Sequence, residues 1–573
     1  MSILCRREFL TIVFLSTVVM ASLKLGAAAE GGAVALPSTP KHEVVSVQLP
    51  GAAFSAMQTI DPEHIRWHVR YLASDLLEGR GTGQRGGDIA AEYIATQFAE
   101  YGLKAVGDAG SYMQKVPLVG VTTLPETRFT LMPKQGAAMN LKALEEYVAY
   151  DQTQQAQTDV DAEIVYVGYG IEAPEYNWDD YKGADVRGKV LLMLVNEPPS
   201  DDPKFFKGKA LTYYGRWTYK YEEAARKGAV GVILVHKEDM ASYPWEVVRN
   251  SNSGEKSFLK LEGPALKVAS WVTVDVAKKL ASASGMDMER MLADARSPQF
   301  HPVALGAKMK AHMVSKIRNF ESNNVLAVLP GSNRNKRDEA VIFTAHYDHL
   351  GMRSDMPGDN IYNGAADNAT GCGILLELAR AFSVAKERPE RSIIFAAVTA
   401  EEQGLLGSEY LGKHPPMPAG KIALDLNYDD VKPWGAPEEV EVTGAERTTF
   451  YPWVQATAKE FRLAIRPEAR PEAGQFYRSD HFSLARVGIP SFSINEGMKF
   501  KGHDVAWGLA QDKEYVDKHY HQPSDDYHPE MNFVGDAAMA RFGFALGWEA
   551  ASFSRLIGWQ KGDEFEAARI KSQ

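Results

Sequence analysis

The stretch "VIFTAHYDHLG", Val341–Gly351, decides how this chain folds. Five mostly apolar residues run directly into His346, Tyr347, Asp348 and His349. An apolar run of that length fits a strand buried on both faces of a parallel sheet. Two histidines and a carboxylate at its end are costly to bury unless something pairs with them.

The same arrangement recurs downstream. "RSIIFAAVTAEEQG" places Glu401 and Glu402 after a strand, and "KIALDLNYDD" places Asp429 and Asp430 after another. "NNVLAVLPG" and "GIPSFSI" read as further strands. Asp367, in "NGAADNATG", stands just before the helix "TGCGILLELARAFSVA", whose apolar face carries Ile374, Leu375, Leu378 and Phe382. This alternation predicts an α/β fold, a mostly parallel mixed sheet flanked by helices. In open α/β sheets, ligands bind beyond the carboxyl ends of the strands. The acidic and histidine residues are therefore expected at one site. Like charges gathered there repel unless a cation lies between them. Carboxylates and imidazoles without thiolate suit zinc, with manganese or cobalt as alternatives. There are too many ligands for one tetrahedral ion, whereas two ions about 3.5–4 Å apart and sharing a carboxylate would use them.

The strings "TAHYDHLG", "NGAADNATG", "TAEEQGLLGSEY", "LNYDD" and "YHQPSDDY" occur in the order found in the zinc peptidases of family M28, which this sequence resembles over roughly 60–110 and 315–550. The resemblance implies a zinc exopeptidase fold and two zinc ions. It implies His346, Glu402, Asp429 and His521 as ligands, Asp367 as the bridge and Glu401 as general base. Asp348 would hold the His346 imidazole from behind. Asp425 shares the strand face of Asp429 but lies deeper, and His519 is the alternative to His521. "YRSDHFSLARVGIP" resembles a family stretch that lines the substrate cleft, which makes His481 and Arg478 candidate substrate contacts; His349 also stands beside a motif. Between 141 and 312, "VGYGI", "DYKGADVRGKVLL" and "KGAVGVILV" resemble the protease-associated domain. A β-rich α/β insert is expected there, between an N-terminal part of the peptidase domain at 56–140 and the remainder at 313–560.

The rest of the chain narrows the function. Of 573 residues, 45% are hydrophobic and 24% charged, and the net charge is −11. Such a composition is globular, and the lack of a basic block argues against a nucleic-acid partner. "MSILCRREFLTIVFLSTVVMASLKLGAAAE" has the charged start, apolar middle and small-residue end of an export signal over 1–29, and "RREFL" resembles a twin-arginine signal. A periplasmic or secreted protein is expected, with no membrane attachment once the signal is cleaved. Residues 30–55, rich in Ala, Gly and Pro, read as a tether. Cleavage leaves Cys372 as the single thiol, so no intrachain disulfide is available. Gly81, Gly83 and Gly86 match a dinucleotide-binding string but follow a helix-like segment, which is the wrong context. No GxSxG string occurs.

The expected function is an exported di-zinc exopeptidase acting on peptides, an aminopeptidase by the family members that pair this domain with a protease-associated insert. The alternative within the family is a carboxypeptidase, which would need an arginine for the terminal carboxylate; Arg478 and Arg486 are the candidates. A metal-free binding relative is the alternative outside catalysis, although every presumed ligand is present.

Overall fold

The computed structural model describes residues 49–241, 243–353, 357–468 and 471–573. The expected export signal and most of the expected tether lie outside them. The chain separates into units 1–44 and 45–573, and the described residues all belong to the second. The tether reading is corrected at its end. Gly51–Met57 is a helix, with Ala53, Ala56 and Met57 buried in the core.

The strand Ala340–His346 pairs in parallel with Ser392–Val398 on one side and Ile422–Asn427 on the other. Ser491–Ser493 adds in parallel beside Ile422–Asn427. Every residue of the three longer strands is buried, which is why each reads as an apolar run. Helices Pro62–Leu72, Thr370–Ser383 and Val534–Ser552 pack together on one face. Leu411 and Leu484, from helices Leu406–Lys413 and His481–Arg486, cover the other. Phe343 and Phe395 stack with ring centres 5.8 Å apart on neighbouring strands. Each such side chain, removed from water, contributes roughly 1.5–3 kcal/mol. The three parallel strands therefore form a rigid platform whose carboxyl ends all point the same way.

The longest strand, Val303–Leu329, exceeds the expected "NNVLAVLPG" by far. Its end, Val325–Leu329, pairs antiparallel with Ser392–Val398. Its middle pairs with Met113–Thr123 and its start with Gln157–Tyr166. Beyond lie the parallel strands Val190–Leu194, Gly231–His236 and Val268–Thr273, with Tyr147–Tyr150 antiparallel at the edge. The expected boundary at residue 140 differs from the pairing. Arg128–Met132 already pairs with Lys308–His312, so the crossover between the two halves of the sheet falls at the turn between residues 123 and 128. The glycine string at 81–86 is a packing device. A Cβ on Gly86 would stand 1.6 Å from the Leu77 carbonyl oxygen, so helix Arg85–Glu100 can start there only with glycine. Among the described residues, no helix is long and apolar enough to cross a membrane.

Candidate active site

Strand register brings the site together. His346 ends its strand opposite Val398, three residues before Glu401. Thr344 pairs with Asn427, two residues before Asp429. Asp367 lies in the turn Ala365–Ala369 that enters helix Thr370–Ser383. That turn is tied down from two sides. The Asp525 carboxylate accepts from Ala366 N at 3.0 Å and Asp367 N at 3.1 Å. The Asn368 amide donates to Tyr428 O at 2.9 Å.

Two donor groups result, and Asp367 belongs to both. In the first, His346 Nε2 lies 3.1 Å from Asp429 Oδ1 and 3.3 Å from Asp367 Oδ1. In the second, His521 Nε2 lies 3.1 Å from Asp367 Oδ2 and 3.2 Å from Glu402 Oε2. Ligand atoms at ~2.0 Å from a tetrahedral ion stand about 3.3 Å from one another, so these spacings and this donor chemistry fit zinc at each group. His349, treated only as a neighbour of a motif, joins the second group: its Nδ1 is 2.6 Å from Glu402 Oε1. The contact is not aligned as a hydrogen bond, and both ring nitrogens of His349 and Oε1 of Glu402 are buried without one. His349, Asp367 and Glu402 thus form a second possible donor set beside His521.

The field of the site favours a cation. Burial works against charge on His346, yet Asp429, Glu401 and Asp367 drive its pKa well above the usual value. His521 rises to about 9 in spite of burial, through Glu402 and Asp367, while the Arg478 guanidinium opposes the rise. Burial, reinforced by Asp429, Glu402 and Asp480 and opposed by His346, raises Glu401 well above the carboxylate range. Glu401 Oε2 is 3.9 Å from His346 Nε2, so it borders the first group without joining it.

Asp348 takes a different part from the one expected. His346 Nδ1 donates to the Asp348 backbone carbonyl at 3.1 Å, whereas the Asp348 Oδ1 is 3.9 Å away. The carboxylate instead accepts from Glu401 N at 3.1 Å and Thr82 Oγ1 at 2.9 Å. It positions the general-base candidate as much as the histidine.

Sequence reasoning missed Arg80 altogether. Its guanidinium is fully buried and donates to Tyr347 O, Leu72 O, Asn363 O and Gly364 O. It ties the loop after His346 to the turn before Asp367. Arg80→Met leaves those carbonyls without their donor. The expected cost is roughly 3–5 kcal/mol of unfolding free energy, read by denaturant titration at fixed zinc. A loss under about 0.5 kcal/mol, typical of an indifferent surface change, would contradict this role.

Other candidates lie elsewhere. Asp425 is buried and accepts from Thr344 Oγ1 at 2.9 Å. Asp430 pairs with Lys432 at 2.6 Å, and His519 Nδ1 meets Ser524 Oγ at 3.0 Å. His481, expected at the cleft, is 1% exposed, stands edge-on to Phe476 at 4.8 Å and is pushed down to about 3 by burial. Asp429 opposes that shift. Arg478 is exposed, and Arg486 pairs with Glu222 at 3.3 Å. Cys372 is buried with its thiol on His346 O and is raised to about 12 by burial, which removes it as a nucleophile.

Residues 324–540 match the model of peptidase family M28. A probable zinc metalloprotease of Pyrenophora tritici-repentis (strain Pt-1C-BFP) is 43% identical over 114 residues, 19% of this chain and 22% of that protein. Aminopeptidase YwaD of Bacillus subtilis (strain 168) is 28% identical over 363 residues, 62% of each chain. The chain thus spans about a fifth of the fungal relative and under two thirds of the bacterial one. In fold it is similar to an aminopeptidase from Aneurinibacillus sp. strain AM-1, with a TM-score of 0.50 at 19% identity over 88% of this chain and 97% of that one. Residues 324–540 are thus similar to peptidase family M28, and the relatives that the chain resembles include a zinc metalloprotease and an aminopeptidase.

Proposed function

We propose that the protein is an exported zinc-dependent aminopeptidase that removes single residues from peptide N-termini and holds two zinc ions. One observation carries the reading: Asp367 turns one oxygen to His346 and the other to His521, 3.3 and 3.1 Å away. A single carboxylate shared between two imidazole–carboxylate groups is the arrangement that two neighbouring cations require. His346, Asp367 and Asp429 would hold one ion; Asp367, Glu402 and His521, with His349 at hand, would hold the other. Zinc there would polarise the scissile carbonyl and acidify the attacking water.

The chain's own residues do the rest. Glu401 accepts a proton from the attacking water and returns it to the leaving amine. Its burial raises its proton affinity, which suits a group that must carry the proton between the two steps. Asp348 fixes the Glu401 backbone and so the reach of its carboxylate. The likeness to aminopeptidase YwaD favours a terminal ammonium over a terminal carboxylate near the reacting carbonyl. The segment 141–312 is read as a protease-associated insert that shapes access. Its strand Lys256–Leu259 reaches the loop after Glu402, where Ser257 N donates to Gln403 Oε1 at 3.3 Å.

The exposed Arg478 favours one second reading, a carboxypeptidase. The zinc-loaded protein is expected to cleave aminoacyl-p-nitroanilides and to leave their N-acetylated forms intact. Efficient cleavage of N-acetylated dipeptides with free C-termini would replace the aminopeptidase reading with the second one.

A further inference from the structure

Helix Val505–Lys518 leads along the surface towards His521. Asp504 caps its start, accepting from Trp507 N at 2.9 Å. Its last turns pair Lys513 with Asp517 and Glu514 with Lys518, the i,i+4 spacing of a solvated face. Gly508 and Tyr515 are its buried residues, and Tyr515 is 7% exposed. One ring therefore anchors the second half of the helix, and what it touches are the supports of the site.

Tyr515 meets those supports in three ways. Its hydroxyl donates to Asp525 Oδ2 at 3.3 Å, and the Asp525 carboxylate holds the backbone N–H groups of Ala366 and Asp367. Its ring centre lies 5.3 Å from Lys432 Nζ. That ammonium binds Asp430, the residue after Asp429, at its carbonyl and its carboxylate, 2.9 and 2.6 Å away. The Tyr515 carbonyl accepts from His519 N and Tyr520 N, both at 2.8 Å, and the Tyr520 ring stacks on His521 at 3.9 Å. Burial, and then Asp430, Asp525 and Asp367, raise the phenol well above its usual pKa, so it stays a neutral donor. Asp367, Asp429 and His521 come from three separate parts of the chain and serve both donor groups. Each is reached from Tyr515 by a short chain of contacts.

We propose that Tyr515 is a positioning residue for both zinc ions: it ties the turn of Asp367, the loop of Asp429 and the segment of His521 into one frame, so that the two donor groups stay in register. The inference rests on the two-zinc aminopeptidase reading and adds the part that holds its ligands. Groups that orient metal ligands from behind contribute roughly 10- to 100-fold to metal affinity.

The test compares the unaltered full chain with Tyr515→Phe, Tyr515→Leu and Val516→Ala, the last an exposed position of the same helix. Each is titrated with zinc against a chelator, and each zinc-free form is unfolded in urea. Tyr515→Phe, which loses only the hydroxyl, is expected to weaken zinc binding about 10-fold, and Tyr515→Leu, which also loses the ring beside Lys432, about 100-fold. Val516→Ala should bind zinc as the unaltered protein does. Zinc-free Tyr515→Phe should unfold at the unaltered midpoint, and excess zinc should restore its kcat on an aminoacyl-p-nitroanilide with KM unchanged; a merely structural lesion would show neither. With Asp525→Asn already present, Tyr515→Phe should add little, because the two act through one hydrogen bond. Unaltered zinc affinity in Tyr515→Phe, whether or not the zinc-free midpoint falls, overturns the positioning role and leaves the aminopeptidase reading standing. That variant decides the matter even if Tyr515→Leu does not fold. An unaltered protein that holds one ion, or cleaves no anilide, overturns the two-zinc aminopeptidase reading, and the zinc titration of Tyr515→Phe still decides its role. An unaltered protein that binds no zinc overturns both.

Discussion

Glu401→Gln is expected to lower kcat by at least ~10²–10⁴-fold, the usual size of an acid–base contribution, while zinc content stays at the unaltered value. The residue is placed for this separation of effects. Its carboxylate is 3.9 Å from His346 Nε2, outside the 3.1–3.3 Å spacings that tie His346, Asp367 and Asp429 together. Glutamine keeps the shape and the Glu401 N to Asp348 Oδ1 hydrogen bond, since that bond uses the backbone. What it removes is the proton acceptor. KM should move little, because the carboxylate works on the proton and not on the peptide. A variant with near-normal kcat and full zinc would show that another group takes the proton. A variant that loses zinc would show that Glu401 is a ligand.

The strands that carry these residues were legible because both faces of the sheet are covered. Burial on both faces forces "VIFTAH", "IIFAAV" and "IALDLN" to be almost wholly apolar, so the polar residues after them stand out. The long antiparallel strand is legible by a different period. In Val303–Leu329 the burial alternates from Gly306 through Ser315. "GAKMKAHMVS" carries the matching alternation of small or apolar and polar residues, the period of a strand with one wet face. The supports of the site were not legible. Thr82 meets Asp348 across 266 positions and Arg80 meets Tyr347 across 267. Nothing local in "EGRGTG" marks it as anything but a glycine-rich turn. Asp348 shows the limit within a motif. Spacing places it two residues from His346, yet which of its oxygens faces the imidazole depends on the backbone turn after the strand. Here the carbonyl does so, and the carboxylate is freed for Glu401 and Thr82. His349 was read only as near a motif because one histidine, His521, already completed the second group.

Asp367→Asn is expected to take the protein from two bound zinc ions to one at most, and to abolish measurable turnover. Two divalent ions about 3.5–4 Å apart repel by on the order of 20 kcal/mol at an effective dielectric of about 20. Only anionic charge placed between them makes joint occupancy affordable. Among the described residues, Asp367 is the one carboxylate with an oxygen on each group. Asparagine preserves its size and its place in the Ala365–Ala369 turn, where the Asp525 contacts are to backbone N–H groups. It removes the charge and turns one acceptor into a donor that faces a histidine or a metal. The contrast with single-ligand variants makes the result decisive. Asp429→Asn should weaken the ion at His346 and spare the other, and His521→Ala should do the reverse, with His349 beside Glu402 limiting the loss. Elemental analysis after dialysis at fixed free zinc measures all three. If the unaltered protein saturates with one firmly held metal, or Asp367→Asn keeps two, Asp367 is not a bridge and the two-ion site is wrong.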